Sequence, residues 1–142
     1  MARISVLTDD VSLSEPSMVE GFPGVGLVGK IAADHLVEEF EMTHYANVYC
    51  DGIPEVAVYR ENDAELQPPV RIYADEDRDL LVLQSDVPVR PDAAGELADC
   101  LASWFEELSV TPLYLSGIPR EKEGTVPSLY GLGTGEGVDI VA

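Results

Sequence analysis

The sequence predicts an α/β domain in which helices pack on a mixed sheet, and three observations carry that reading. Short apolar runs alternate along the chain with stretches whose apolar residues recur at helical spacing. The unbroken run Leu80-Leu81-Val82-Leu83 has the composition of a strand covered on both faces. Finally, 142 residues of which 46% are hydrophobic suit one domain, residues 1–142, with one core, and exclude disorder for most of the chain.

The first ordered piece is expected at Ser17-Met18-Val19-Glu20-Gly21, a short strand that feeds the run Gly21-Phe22-Pro23-Gly24-Val25-Gly26-Leu27-Val28-Gly29-Lys30. A helix should follow, with Val28, Ile31, Ala32, Leu36 and Phe40 on its inner side and Lys30, Asp34, Glu38 and Glu41 opposite. Ala46 to Asp51 then closes a strand-helix-strand unit. Val56 and Val58, then Val70, Ile72 and Ala74, alternate with residues that can face out, which predicts short strands separated by a polar loop from Glu61 to Pro69. Asp75-Glu76-Asp77-Arg78-Asp79 is an acidic turn into the buried run at Leu80. Pro91 suits a first helical position, and Leu97, Ala98, Leu101, Trp104, Phe105 and Leu108 form one broad apolar stripe. Thr111 to Gly117 reads as another buried strand. The glycine-rich tail from Gly117 to Ala142 shows no clear helix, and its Gly131-Leu132-Gly133-Thr134-Gly135-Glu136-Gly137 looks like a loop before a further helix, so the domain is expected to be C-terminally incomplete.

Gly24-Val25-Gly26-Leu27-Val28-Gly29 matches the G-x-G-x-x-G dinucleotide pattern between a strand and a helix, with Asp51 at the end of the next strand. Such glycines allow a tight turn and close approach of a pyrophosphate to a helix N-terminus, and Asp51 would accept from a ribose hydroxyl. Gly24, Gly29 and Lys30 also approach a P-loop, but Ile31 stands where Ser or Thr must hold magnesium, which argues against phosphoryl transfer. Equally, the glycines can simply let the helix start close against the sheet. The candidate site is therefore Gly24, Gly26, Gly29, Lys30 and Asp51, with nucleotide binding and packing both open at this point. Three strands also leave the sheet through a similar phrase, Asp51-Gly52-Ile53-Pro54, Ser85-Asp86-Val87-Pro88 and Ser116-Gly117-Ile118-Pro119; if the strands are parallel, these exits and the glycine loop share one edge.

The chain carries 27 acidic against 8 basic residues, a formal net charge of −19. That surface repels phosphate, which argues against nucleic-acid binding and against anionic membranes as partners. Acid spread along the chain with only two lysines, Lys30 and Lys122, is the composition of a cytoplasmic protein adapted to high salt. Cys50 and Cys100 fall in apolar runs and read as buried thiols in a reducing compartment, with no metal knuckle or redox pair. His35 and His44 lie near no Ser or Cys nucleophile in sequence, so no catalytic and no metal-binding residue is assigned. No cofactor is expected.

Taken with their order and spacing, Val19-Glu20-Gly21-Phe22-Pro23-Gly24-Val25-Gly26-Leu27-Val28-Gly29, Asp51-Gly52-Ile53-Pro54, Pro69-Val70-Arg71-Ile72-Tyr73, Leu80-Leu81-Val82-Leu83 with Val87-Pro88, and Ser116-Gly117-Ile118-Pro119 closely resemble the archaeal branch of the proteasome assembly chaperone 2 family, from about Val19 to the end. The resemblance implies a three-layer α/β/α sandwich with a mixed, mostly parallel sheet, similar to nucleoside phosphorylases. It implies a non-enzymatic protein that forms homo-oligomers and binds proteasome core subunits, and it recasts the glycine run as a backbone device for strand-to-helix packing. The alternative is a nucleotide- or small-ligand-binding α/β protein, such as an ATP-grasp-like or nucleoside-related enzyme, that uses the glycine loop. Some proteasome-binding relatives carry a C-terminal hydrophobic-tyrosine-any-residue tail, which Ile140-Val141-Ala142 does not match.

Overall fold

A computed structural model describes residues 1–121 and 124–142; Lys122 and the rest of the tail at 122–123 lie outside the described residues. Along the chain run β1 (Arg3–Val6), β2 (Ser17–Gly21), α1 (Val28–Glu39), β3 (Thr43–Tyr49), β4 (Val58–Arg60), β5 (Asp63–Gln67), β6 (Val70–Asp75), β7 (Leu80–Ser85), α2 (Ala94–Leu108), β8 (Thr111–Tyr114) and the short α3 (Gly137–Val141). Six strands form one sheet in the order β1-β3-β6-β7-β2-β8, and β4 and β5 form a separate hairpin.

Period-two alternation divides the sheet residues between two cores. Met18, Leu81, Leu83 and Ile72 point toward α2, whose Leu97, Leu101 and Phe105 cover them. Their neighbours Val19, Val82 and Tyr73 point the other way and meet Ala33 and Val37 of α1. The result is a helix on each face of a mixed sheet, the three layers that the family resemblance implies. Leu81, Leu83 and Val82 are fully buried, and each such side chain contributes about 1.5–3 kcal/mol.

Direction and pairing give different counts of parallel strands. β2, β3, β7 and β8 all run one way, but β6 lies between β3 and β7 and runs against both. β1 also runs against β3, so three of the five pairings are antiparallel, and the sheet is mixed without being mostly parallel in its ladders. The cause is the tight Asp75–Asp79 turn, where Asp79 N donates to Glu76 O; a turn that short can only join antiparallel neighbours.

Several element readings need correction. Arg3–Val6 forms an edge strand ahead of Ser17, registered on β3 from Tyr49 back to Ala46. The Glu61–Pro69 segment is no loop: Asp63–Gln67 pairs with β4, although its side chains are mostly exposed and give no apolar signal. Every residue of β6 except Asp75 is buried, including Arg71 and Tyr73, so its alternate residues do not face water. On α1 the buried line is Gly29, Ala33 and Val37, while Val28 and Ile31 are exposed. Small residues at four-residue spacing let the helix approach the sheet more closely than the larger apolar residues would, which rotates it away from the predicted face. β8 is a half-buried edge strand rather than a fully buried one, because only β2 pairs with it. The tail contains one short helix, α3, after Glu136.

Candidate functional site

Because β2, β3, β7 and β8 share a direction, their exits share one edge of the sheet, together with the glycine loop. This is where an α/β sheet ordinarily places ligands or partners. On the α1 side of that edge lie the loop and a network of charges; on the α2 side lies an apolar groove.

The loop is built by backbone packing. A Cβ on Gly21 would overlap the Cβ of Ala33 and lie 2.7 Å from Leu83 O, and one on Gly29 would lie 3.0 Å from Leu115 O and 3.3 Å from Glu20 O. Gly26 has φ +67°, a left-handed conformation that costs a side chain about 1–2 kcal/mol. Gly24, in extended backbone, has open space where a Cβ would stand. The close approaches at Gly21 and Gly29 are thus made by protein atoms and bring α1 against the sheet, whereas Gly24 and Gly26 meet no close neighbour. Helix α1 begins after Leu27 without a side-chain cap.

Lys30 does not face the loop. Its Nζ donates to Asp34 Oδ2 at 3.0 Å and to Asp86 Oδ1 at 3.2 Å. The other oxygen of Asp86 accepts from Arg71 Nη2 at 2.8 Å, and the same Nη2 donates to Gln84 Oε1 at 2.8 Å. Arg71 is completely buried, and its remaining donors reach Pro68 O at 2.7 Å and Tyr73 Oη at 3.2 Å. Gln84 Nε2 closes the ring by donating to Asp34 Oδ1 at 2.8 Å, while Arg60 of the hairpin reaches Gln84 Oε1 at 3.3 Å. Burial pushes the Asp86 carboxyl up, but hydrogen bonds and charges from Arg71 and then Lys30 outweigh it and hold it below the usual aspartate range. Three of the chain's eight basic residues therefore meet here and spend their charge on protein acceptors. The network ties α1, β6, β7 and the β4–β5 hairpin together.

Asp51 lies elsewhere. It follows β3, and β6 and β7 separate β3 from β2, so three strand spacings of roughly 4.8 Å stand between its strand and the one that feeds the loop. Its carboxylate is exposed and pairs with the Met1 ammonium at 2.7 Å, whose hydrogen bond and charge hold it below the ordinary range. The structure thus brings Gly24, Gly26, Gly29 and Lys30 together on one segment but does not bring Asp51 to them. Arg71, Gln84 and Asp86 join them instead; their one sequence signal is an arginine inside the apolar run Val70–Ala74. His44 lies on β3, where its ring stacks on Tyr73 and Nε2 donates to Asn47 Oδ1 at 2.6 Å, while His35 is exposed on α1. Cys50 is buried and Cys100 half-buried, both free. Among the described residues no group of His, Cys, Asp and Glu could hold a metal ion, and no helix is long and apolar enough to cross a membrane.

The groove, of about 340 Å³, runs between α2 and the ends of β2 and β8 and is lined by Phe22, Pro88, Leu97, Leu101 and Tyr114 with Glu20 among them. Glu20 points to this side because β2 alternates: Met18 and Glu20 face α2, Val19 and Gly21 face α1. Its Oε1 accepts from Phe22 N at 3.0 Å, yet burial raises the carboxyl above the usual glutamate range. Burial and then the Glu20 charge likewise push the Tyr114 phenol up. A raised carboxyl favours folding below its unfolded value and loses that contribution as pH rises through the folded value. Glu20→Gln should therefore raise the melting temperature by roughly 2–4 °C at pH 7–8 and leave it unchanged near pH 4; calorimetric scans at the two pH values check this, and an equal gain at both would refute the buried-charge explanation.

Fold and site together define a three-layer α/β sandwich with a recessed apolar groove at its strand-exit edge and a glycine loop that packs against the sheet through Gly21 and Gly29. The chain belongs to the PAC2 family, whose sequence model matches residues 18–139. Among curated proteins it is 30% identical over 95 residues to the uncharacterised protein MJ0106 of Methanocaldococcus jannaschii, covering 67% of this chain and 38% of that protein. Among solved structures it is similar to PbaA of Pyrococcus furiosus, an archaeal homolog of proteasome-assembly chaperone, with TM-score 0.70 and 25% identity over 87% of this chain and 53% of that one. It is also similar to Pyrococcus furiosus PbaB, an archaeal proteasome activator, with TM-score 0.64 and 26% identity over 86% of this chain and 54% of that one. The chain thus spans about half the length of these structures, and less of the curated relative.

Proposed function

We propose that this chain is a non-enzymatic binding factor in proteasome assembly, that it binds proteasome core subunits, and that it works in the cytoplasm as a homo-oligomer. The likeness to PbaA across 87% of the chain is the observation that carries this reading. The site supports it from the chemical side. Lys30 neutralises carboxylates, Ile31 offers no magnesium ligand, Asp51 sits on a distant strand, and Gly21 and Gly29 accommodate backbone and Ala33, all of which supports reading the glycine loop as a packing device. A pull-down from native cytosol in molar salt, with the chain as bait, should recover proteasome α subunits; recovery of a bound nucleotide without those subunits would favour a ligand-binding protein instead.

A net charge of −19 supports a second part of the proposal, adaptation to high salt. Circular dichroism should show the melting temperature falling as salt is lowered from molar to millimolar, and a melting temperature that does not change would contradict it.

A further inference from the structure

We infer that the β4–β5 hairpin is a salt-controlled strap over the Arg71 network, closed when Arg60 reaches across to Gln84 and open when Arg60 turns back to the hairpin's own carboxylates. The hairpin joins β3 to β6 and is fixed at both feet. Gly52 and Ile53 are buried, and Gly52 O accepts from Arg90 N at 3.1 Å; Pro69 and Val70 are buried, and Pro69 O accepts from Asp86 N at 3.0 Å. Between those feet, residues 57–67 add no side chain to either core among the described residues. β4 and β5 pair only with each other. Among the described residues one hydrogen bond joins residues 57–67 to the sheet, that from Arg60 Nη2 to Gln84 Oε1 at 3.3 Å. A two-stranded hairpin is marginally stable alone in water, so lifting this one frays it at a far lower cost than unfolding the domain.

Arg60 has two sets of acceptors to choose between. Gln84 Oε1 is neutral and already serves Arg71 Nη2 at 2.8 Å, so the bond to Arg60 is the longer and weaker of the two. Asp63 stands directly opposite Arg60 across the hairpin, where paired Cβ atoms lie roughly 5 Å apart, and Glu65 is the diagonal neighbour. Rotation of the Arg60 side chain alone carries its guanidinium to these carboxylates. In the closed arrangement neither is in ion-pair range of it, and Asp63 Oδ1 accepts from Glu65 N at 3.0 Å. Latch and competitors all lie within residues 60–84, on strands away from β8, where the chain runs on. An exposed ion pair and a single shared hydrogen bond are of similar strength, so the two arrangements are close in free energy. Salt screens the ion pair more than the bond to the amide, so molar salt closes the strap and dilute buffer opens it. Opening parts Arg60 from Gln84 and admits water to the wholly buried Arg71, whose Nη1 donates to Pro68 O at the foot of the strap at 2.7 Å.

The test is hydrogen exchange of the full chain, read by mass spectrometry on peptides from residues 57–67 and from β6 and β7, in about 0.1 M and about 1 M salt, where the Debye length is roughly 10 Å and roughly 3 Å. In the wild type the hairpin should exchange about a hundredfold or more faster than β6 and β7 at either salt, and about threefold to fivefold more slowly in the higher salt than in the lower. Asp63→Asn with Glu65→Gln removes the open-state partners, and its hairpin should exchange in the lower salt as slowly as the wild type does in the higher. Arg60→Met removes the latch, keeps the apolar stem and leaves Arg71 on Gln84, so its hairpin should exchange in the higher salt as fast as the wild type does in the lower. Arg60, Asp63 and Glu65 are exposed, and melting curves should confirm that all three proteins are folded at both salts. Hairpin peptides that exchange no faster than β6 and β7 overturn the strap. A wild-type hairpin whose exchange does not slow with salt overturns the switch, and so does a slowing of the same size in both variants.

Discussion

Arg71→Ala should cost about 3 kcal/mol and lower the melting temperature by roughly 10 °C, the largest effect expected of any single change away from the apolar core. Arg71 is wholly buried, and its removal strands the Asp86 carboxylate, which is three-quarters covered, with Lys30 as its only cation. It also leaves Gln84 Oε1 to Arg60 alone, at 3.3 Å, and frees Pro68 O beneath the hairpin. The dependence on pH follows from the lowered Asp86 carboxyl. A carboxyl held down in the folded state contributes stability above its unfolded value, near pH 4, and loses it as pH falls through the folded value. The gap between wild type and variant should therefore be widest at neutral pH and narrow below about pH 4. Denaturant titrations at pH 7 and pH 3 check both statements, and a gap of constant size would show that packing, not the ion pair, is what the arginine provides.

Gly21→Val should cost nearly as much, about 3 kcal/mol, although Gly21 lies outside the G-x-G-x-x-G pattern. A side chain there would collide with Ala33 and with the backbone of Leu83, and neither can move without shifting α1 or β7. Gly26→Val should cost less, about 1–2 kcal/mol, through its positive φ alone, and Gly24→Ala should fall within about 0.5 kcal/mol of wild type. Chemical denaturation of the three variants reads out this order. A phosphate cradle would add a second effect at Gly24 and Gly26, a loss of nucleotide affinity beyond what these stability costs explain.

How much of this was legible beforehand depended on whether a residue's role is local. The run Leu80–Leu83 and the stripe Leu97, Leu101, Phe105 announce themselves by period, because burial selects apolar residues at fixed spacing. The common edge for the strand exits followed from strand direction, and the structure bears it out for β2, β3, β7 and β8. What stayed hidden was decided between elements. β6 and β7 take places between β3 and β2, long-range pairings that no window of sequence contains, and together they remove Asp51 from the glycine loop. β5 is mostly exposed and polar, so its pairing has no hydrophobic signature. The face of α1 was misplaced because glycine and alanine, which weigh little in an apolar stripe, were the residues chosen for close approach. Glu20 showed only as the odd polar residue of a strand; its position in the groove depends on α2, some seventy residues away.

The claim at the centre of this account is that the strand-exit edge serves a protein partner and not a nucleotide. Isothermal calorimetry of the wild-type chain in molar salt, titrated in parallel with ATP, with NAD and with purified proteasome α subunits, tests it most directly. The account predicts saturable heat with the α subunits and none with either nucleotide. Micromolar binding of ATP or NAD, accompanied by no heat from the α subunits, would contradict it.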